Sequence, residues 1–161
     1  MTMIISGDNG LTFPNSTIQA SAGSVLQVVN ATYSTQTSNS TSTLADTGLT
    51  ATITPKFATS KILVLINHNE NLKSAANSNN DLAIALLRNG TNIFTVNKGV
   101  GYTASASSNQ FSTSGSYLDS PASVSALVYK TQFANGDNNG AVVYVQTNGT
   151  QATITLMEIA G

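Results

Sequence analysis

The chemistry open to this chain is limited by its few ionisable and nucleophilic side chains. His68 is the only histidine, five Asp and two Glu are the only acidic residues, and cysteine is absent. Glu70 would share a strand face with His68 if the strand that begins near Lys61 continues that far. A metal site would need more ligands than this pair, and no further His or Cys can supply them. We expect His68 to be a solvated residue at the edge of a loop.

Hydrolytic chemistry has as little support. A Ser hydrolase that depends on histidine also needs a nucleophile and an orienting acid, and the sequence has no Gly-X-Ser-X-Gly elbow. The carboxylates form no local pair of the kind that sugar hydrolysis uses. Residues 137–140 lack the spaced acidic ligands of a calcium loop, and their composition is typical of a turn. The sequence therefore predicts no enzyme activity, no cofactor and no metal.

Charge and hydropathy argue against two classes of partner. The six basic and seven acidic residues are scattered singly, so no basic patch is available to a phosphate backbone. The longest apolar run, residues 62–66, is too short to cross a bilayer, and the first ten residues lack the basic and apolar regions of a signal peptide. We expect neither nucleic-acid binding nor membrane insertion.

The composition favours a β-rich fold. Ser, Thr and Asn fill 60 of the 161 positions, and these short uncharged side chains suit the outward surface of a sheet. Polar stretches typical of loops separate β-type apolar runs; the longest are residues 34–43, 67–80 and 102–116. The strand candidates are residues 25–33, 49–53, 61–67, 82–88, 92–96, 123–133, 141–146 and 152–159. The sequence predicts an all-β domain over residues 24–161, an antiparallel β-sandwich of the jelly-roll type.

Two Asn-Gly pairs lie between strand candidates. Asn89-Gly90 follows residues 82–88, and Asn148-Gly149 follows residues 141–146. Asn-Gly is strongly favoured in two-residue turns that need positive φ at both central positions. We expect each pair to close a β-hairpin.

Residues 1–23 differ from the rest of the chain. Their apolar residues form two small groups, Ile4-Ile5 and Leu11 to Phe13, which turn-forming Gly, Asp and Asn separate. Such a segment has too little apolar surface to fold alone. We predict an extended N-terminal arm that lies on the main domain, on a neighbouring subunit or on another protein.

Two strand candidates, residues 62–66 and 141–145, are apolar without the alternation of a sheet that has one wet face. One dry face is explained by the core of the sandwich, and the other needs a cover, either the arm or another copy of the domain. In residues 152–159, Ile154 and Leu156 fall on one face, whereas Met157 and Ile159 fall on the other. We expect a subunit contact near this terminus, with the interface residues Leu63, Leu65, Val143, Val145, Leu156 and Ile159.

Aromatic residues suggest a second hypothesis. The five Tyr and five Phe are spread along the chain, and Trp is absent. If a sugar-stacking platform exists, we expect Tyr102, Phe111 and Tyr117 in the middle third of the chain to build it. The alternative to a structural role is therefore an adhesin that binds host carbohydrate through these residues.

The opening segment carries a family resemblance. Gly7-Asp8-Asn9-Gly10-Leu11-Thr12-Phe13-Pro14 resembles the G-x-x-G-L-T-F-P segment near the start of phage tail-fibre and related virion surface proteins. The body, with Leu87-Arg88-Asn89-Gly90 and the closing stretch Ile154-Thr155-Leu156-Met157-Glu158-Ile159, looks like the distal domains of phage fibres. Many of those domains are trimeric jelly rolls similar to complement C1q and tumour-necrosis-factor heads. The chain departs from the pattern at Asn15-Ser16, where Asp-Gly is common.

The resemblance implies a non-enzymatic structural protein of a bacteriophage virion surface that assembles as a homotrimer in the host cytoplasm. The arm would attach the trimer to other virion proteins through Ile4, Ile5, Leu11 and Phe13. Both a tail-fibre-like protein and a capsid decoration protein fit this implication.

Overall fold

The computed structural model describes residues 24–74, 81–102, 108–136 and 141–161 with their side chains, and before residue 24 it describes the backbone of three short strands. The described residues form thirteen strands, and the only helical element among them is a single 3-10 turn, Thr147–Gly149. The strands are β1 (Ile4–Ser6), β2 (Gly10–Thr12), β3 (Ile18–Gln19), β4 (Val25–Tyr33), β5 (Thr37–Asn39), β6 (Ala45–Ile53), β7 (Lys61–Lys73), β8 (Leu82–Arg88), β9 (Thr91–Val100), β10 (Asn109–Asp119), β11 (Leu127–Asn135), β12 (Val143–Val145) and β13 (Ala152–Ile159).

Eight strands follow the pairing scheme of a jelly roll. Taking β4, β6, β7, β8, β9, β10, β11 and β13 as first to eighth, the first pairs with the eighth, the second with the seventh, the third with the sixth and the fourth with the fifth. Pairing of β13 with β7 and of β11 with β8 completes two sheets. We call β4-β13-β7-β10, with the short β5 and β12, the front sheet, and β6-β11-β8-β9 the back sheet. The predicted antiparallel β-sandwich is confirmed.

The two Asn-Gly pairs have different outcomes. Asn89 (φ 49°) and Gly90 (φ 84°) turn β8 into β9, so this predicted hairpin is confirmed. Asn148 (φ 56°) and Gly149 (φ 72°) also have positive φ, but β12 and β13 do not pair with each other. Both strands pair with β7 along the edge that β10 does not use. The second predicted hairpin is therefore wrong. Residues 146–151 instead connect β12 and β13, which lie end to end along the same edge of β7, and we call this irregular connection the jog.

Two strands lie where loops were predicted. The Ser-rich β10 and the short β5 fall in polar stretches, and β7 continues to Lys73, beyond the predicted end at residue 67. Strands β10 and β7 pair along nearly their whole length, so the backbone bonds of β7 keep a segment of weak β-propensity extended. Predicted boundaries of β6, β9, β11 and β12 also differ from the observed ones by several residues.

The apolar core between the sheets consists of two clusters. The larger includes Ile62, Val64, Ile154 and Leu156 from the front sheet, which face residues such as Tyr129 of the back sheet. The smaller contains Leu82, Ile84, Phe133, Val143 and Val145. On β11, the buried Thr131 lies between Tyr129 and Phe133, one from each cluster. We call the buried residues Thr47, His68, Thr131 and Gln146 the polar layer, because hydrogen bonds join them to one another inside the sandwich.

A bulge in the back sheet requires one glycine. Thr50 pairs with Lys130 and Asp46 with Gln132, so three residues of β6 lie opposite a single residue of β11. Gly48 in this bulge has a φ of 89°, and a Cβ there would overlap the Tyr33 ring. The Tyr33 ring thus packs directly on the Gly48 backbone, and a side chain would disturb both the bulge and this contact.

The segment before residue 24 contains β1, β2 and β3, which form a separate three-stranded antiparallel sheet. Ile5 lies opposite Leu11, and Leu11 lies opposite Gln19. In the part of the chain that the structure describes, no helix has the length and apolar character needed to cross a bilayer.

Candidate functional site

A row of apolar side chains crosses the outer surface of the front sheet. Val28 on β4 lies opposite Met157 on β13, Met157 lies opposite Leu63 on β7, and Leu63 lies opposite Leu118 on β10. Val28 is 55% exposed and Leu118 is 50% exposed. We call these four residues the apolar row. Exposed apolar side chains aligned across a sheet are typical of an interaction surface rather than of scattered surface residues.

The surface beside the apolar row carries one charge, because Ile159 lies opposite the exposed Lys61 on one side of the row, and the other side is uncharged. The neighbouring register positions carry Asn30, Thr155, Leu65 and Ser116, of which Leu65 is itself 37% exposed. The Asn30 amide donates a 2.8 Å hydrogen bond to the Thr155 hydroxyl, so polar groups on this surface partly satisfy one another. Two surfaces that meet through this uncharged side bring no like charges together there.

The predicted interface residues divide between this surface and the core. Leu63, Leu65 and Ile159 face outward on β7 and β13, in the alternate positions to the buried residues. By contrast, Val143, Val145 and Leu156 are fully buried within one chain. Their assignment to a subunit interface is corrected, because the opposite sheet of the same chain already covers these side chains.

The predicted aromatic platform is also corrected. The Tyr117 ring stacks on Phe94, with centroids 5.0 Å apart, and both rings pack against the larger core cluster. Phe111 packs against the smaller cluster. Tyr102 is 53% exposed, so the structure does not bring these three candidates together on one exposed surface. Stacking of a sugar would require the rings of Phe111 and Tyr117 to face solvent, which they do not.

The four predicted attachment residues belong to the segment before residue 24. Ile4 and Ile5 lie in β1 and Leu11 lies in β2, where the structure describes only the backbone. Phe13 lies outside the described residues. Attachment through the arm therefore stays a prediction.

His68 is buried in the polar layer, so the prediction that it is solvated is wrong. Its Nε2 atom lies 3.1 Å from Thr131 Oγ1 of the back sheet, and its Nδ1 atom lies 3.2 Å from Gln146 Nε2 of the jog. Because the Gln146 amide donates to Nδ1, the ring proton sits on Nε2 and donates to Thr131. Burial lowers the pKa of His68 to about 4. The ring is therefore neutral near pH 7.

The chain of hydrogen bonds continues into the back sheet. Thr131 Oγ1 lies 2.6 Å from Thr47 Oγ1, which in turn accepts a 3.1 Å bond from the Leu49 backbone N–H. Not all buried polar atoms in this region have partners, since Gln146 Oε1 has none. The polar layer connects the two sheets and the jog through one neutral imidazole.

Glu70 does not accompany His68 as the sequence suggested. A φ of 45° at Glu70 breaks the alternation of β7, and its carboxylate accepts a 2.9 Å bond from the Asn148 side chain. His68 consequently lacks the orienting carboxylate of a catalytic triad. Within the described ranges, no group of three or more His, Cys, Asp or Glu could hold a metal ion.

A charged cluster links the end of β10 to the back sheet. Arg88 Nη1 lies 2.8 and 2.7 Å from the two oxygens of Asp119, and the Tyr129 hydroxyl donates a 2.6 Å bond to the same carboxylate. Burial, together with the neighbouring Asp119 carboxylate, raises the pKa of Tyr129 well above its usual range. Since the three groups satisfy one another, their arrangement stabilises the fold and leaves no group available as an acid or base.

No protein-family model matches this chain, and no curated protein matches it. The roles considered for these residues therefore rest on their geometry and on the resemblance of the opening motif.

Proposed function

We propose that this chain is a non-enzymatic structural protein of a bacteriophage virion surface, and that it forms homotrimers through the outer surface of the front sheet. The observation that carries self-association is the apolar row, in which Val28, Met157, Leu63 and Leu118 align across four strands. The phage origin and the trimeric state are supported by the resemblance of residues 7–14 and of the body to phage fibre proteins.

The energetics favour association through such a surface. A standard interface removes roughly 800 Å² from each partner. If half of that area is apolar, burial contributes about 10 kcal/mol of gross stabilisation per subunit at ~25 cal/mol per Å². Association entropy opposes this gain, so the net affinity depends on how well the row is packed. The uncharged neighbours Asn30, Thr155 and Ser116 add no electrostatic cost, whereas Lys61 on the other side of the row must stay in contact with water or be paired.

The arm would join the trimer to the particle, either on a tail or on the capsid. Deletion of residues 1–23 tests this part of the proposal. Trimers that form normally but no longer bind particles would support attachment through the arm. Loss of the trimers would instead assign the arm to the subunit contact.

The adhesin hypothesis has weaker support, because Phe111 and Tyr117 pack inward. A glycan array on the purified trimer separates the two roles. Saturable binding that a Tyr102→Ala substitution abolishes would favour an adhesin over a purely structural protein.

Self-association itself is tested by light scattering on two matched lysine variants. Leu118→Lys places a charge in the apolar row, whereas Val128→Lys places one at a 40% exposed valine on the outer surface of the back sheet. We expect trimers for the unmodified chain and for Val128→Lys at micromolar concentration, and monomers for Leu118→Lys. A monomeric unmodified chain, or equal dissociation of both variants, would overturn the proposed interface.

A further inference from the structure

Unfavourable backbone conformations are concentrated around the jog. Glu70, Gln146 and Asn148 have φ values of 45°, 54° and 56°, and they are three of the five non-glycine residues with positive φ in the described part of the chain. Left-handed conformations are disfavoured for residues with a side chain, and they persist only where surrounding contacts impose them. The contacts that hold the jog therefore determine whether it stays in place.

The jog covers a part of β7 that no strand pairs on that edge. Pairing with β13 ends at Asn67, and pairing with β12 begins at Leu72. Across this gap, Thr150 Oγ1 donates a 3.1 Å bond to the Asn69 carbonyl, and the Asn69 amide donates a 3.0 Å bond to the Gln151 carbonyl. His68 lies in this gap, so opening of the jog would give water access to its ring.

Of the side-chain bonds that hold the jog, which include one from the buried Thr147 hydroxyl to the Glu70 carbonyl, one depends on a titratable group. The Gln146 amide, fully buried, donates to Nδ1 of His68, while Nε2 of the same ring bonds Thr131 in the opposite sheet. This bond requires that Nδ1 carry no proton. We propose that His68 is an acid-sensitive latch, which holds the jog against β7 while neutral and releases it when Nδ1 takes up a proton from solvent.

The charged groups around His68 do not stabilise its cation. On the elements that pack against the ring, these groups are Asp46 on β6, Lys130 on β11, and Glu70 and Lys73 on β7 itself. Asp46 and Lys130 pair with each other at the surface, and Glu70 accepts a bond from Asn148. The part of β10 that lies beside His68 contributes only uncharged side chains in the described residues, and so does the jog. A protonated ring thus has no carboxylate bonded to it, and hydration gained by opening is its main stabilisation.

The expected size of the effect follows from linkage. Burial lowers the pKa of His68 to about 4, whereas a solvated histidine titrates near 6.5. Between these values the open form binds one more proton than the closed form. The population of the open jog should therefore rise roughly tenfold for each pH unit between about 6 and 4.5, and by about 150-fold at pH 4.

Hydrogen exchange on the full chain tests the latch. Protection factors, corrected for the intrinsic exchange rates, are measured for amides of the jog and of the β8–β9 hairpin from pH 7 to pH 4. We expect protection of the jog to fall by the factor above while the hairpin changes much less. In His68→Gln the jog should lose its pH dependence, and in Glu70→Gln, the matched control, it should keep it.

His68 can also be observed directly, which keeps the test valid if His68→Gln fails to fold. As the only histidine, it gives a single imidazole Hε1 resonance that needs no assignment by mutation. We expect this resonance to titrate with a midpoint near pH 4, the pH at which the loss of protection levels off. Jog protection that stays constant to pH 4, or a fall that disappears in Glu70→Gln, would overturn the latch. The inference does not depend on the proposed virion role, since it concerns one chain.

Discussion

Two ion pairs in this protein have the same length and different burial, and this contrast gives a sharp prediction. Arg88–Asp119 and Lys130–Asp46 both have a shortest N–O distance of 2.7 Å. The Asp119 side chain is 7% exposed and the Arg88 side chain 28%, whereas the Asp46 side chain is 56% exposed. We expect Asp119→Asn to be far more destabilising than Asp46→Asn.

The two cations are almost equally exposed, Arg88 at 28% and Lys130 at 29%, so the magnitude follows from the burial of the carboxylate that each substitution removes. Removing Asp119 leaves the Arg88 charge partly buried without its counterion, which costs about 3–5 kcal/mol for a fully buried pair. Because Arg88 retains some contact with water, we expect a loss of about 3 kcal/mol. The exposed Asp46 pair is screened by solvent, so its loss should cost less than about 1 kcal/mol.

Urea denaturation followed by far-UV circular dichroism measures both variants. At an m-value of about 2 kcal/mol/M, the midpoint should fall by roughly 1.5 M for Asp119→Asn and by less than about 0.5 M for Asp46→Asn. All samples need the same protein concentration, because association changes the apparent stability. Equal losses in the two variants would refute the argument that burial, rather than distance, determines the contribution of these pairs.

Three further predictions concern single positions. In urea denaturation, Gly48→Ala should lower the free energy of unfolding by about 3 kcal/mol, because the new Cβ would meet the Tyr33 ring. Gly90→Ala should lower it by about 1 kcal/mol, because φ is positive there but the space around the residue is open. Similar losses in the two variants would contradict this reasoning. Asn89→Ala should lower the free energy of unfolding by about 1–2 kcal/mol, because the amide oxygen of Asn89 accepts a 2.8 Å bond from the backbone of β11. Asn89→Gly should lower it less, because glycine keeps the turn conformation. A reversed order of the two variants in thermal melts would count against this explanation. Burial raises the pKa of Glu158, but hydrogen bonds, including one from the Lys56 backbone, outweigh it and hold the pKa below 4.5. Ionised Glu158 thus stabilises the fold above that pH, so Glu158→Gln should be destabilising at pH 7 and progressively less so as the pH falls below about 4; a constant difference between pH 7 and pH 3 would exclude this contribution.

Much of the fold could be predicted from local sequence. The bounds of β4, β8 and β13 agree with prediction, because each strand is an apolar run between turn-forming residues. Strand β10 could not be predicted in this way, since most of its exposed positions are serine and its extended form depends on pairing with a distant strand. The second Asn-Gly pair has the predicted positive φ, but only the full sheet determines that its neighbouring strands extend along β7.

The candidate site was predictable in part for the same reason. Alternation along β13 puts Ile159 and Leu156 on opposite faces of the strand, so one interface cannot include both side chains. The outward position of Ile159 and the burial of Leu156 follow this parity, which is inconsistent with an interface that includes both residues. The burial of His68 had no local signal. It follows from the irregular backbone at Glu70 and from the jog. Together they place the imidazole in contact with residues of both sheets that are far from it in sequence.

The pairing of β4 with β13 has a consequence for biosynthesis. During translation, residues 25–33 leave the ribosome more than a hundred residues before their partner, Ala152–Ile159, is made. Strand β4 therefore stays unpaired until β13 has been made. Closure of the sandwich is a late event that depends on contacts between residues far apart in sequence. Ribosome stalling or truncation just before residue 152 would leave two unpaired strand edges side by side, a template for aggregation in the crowded interior of an expressing cell.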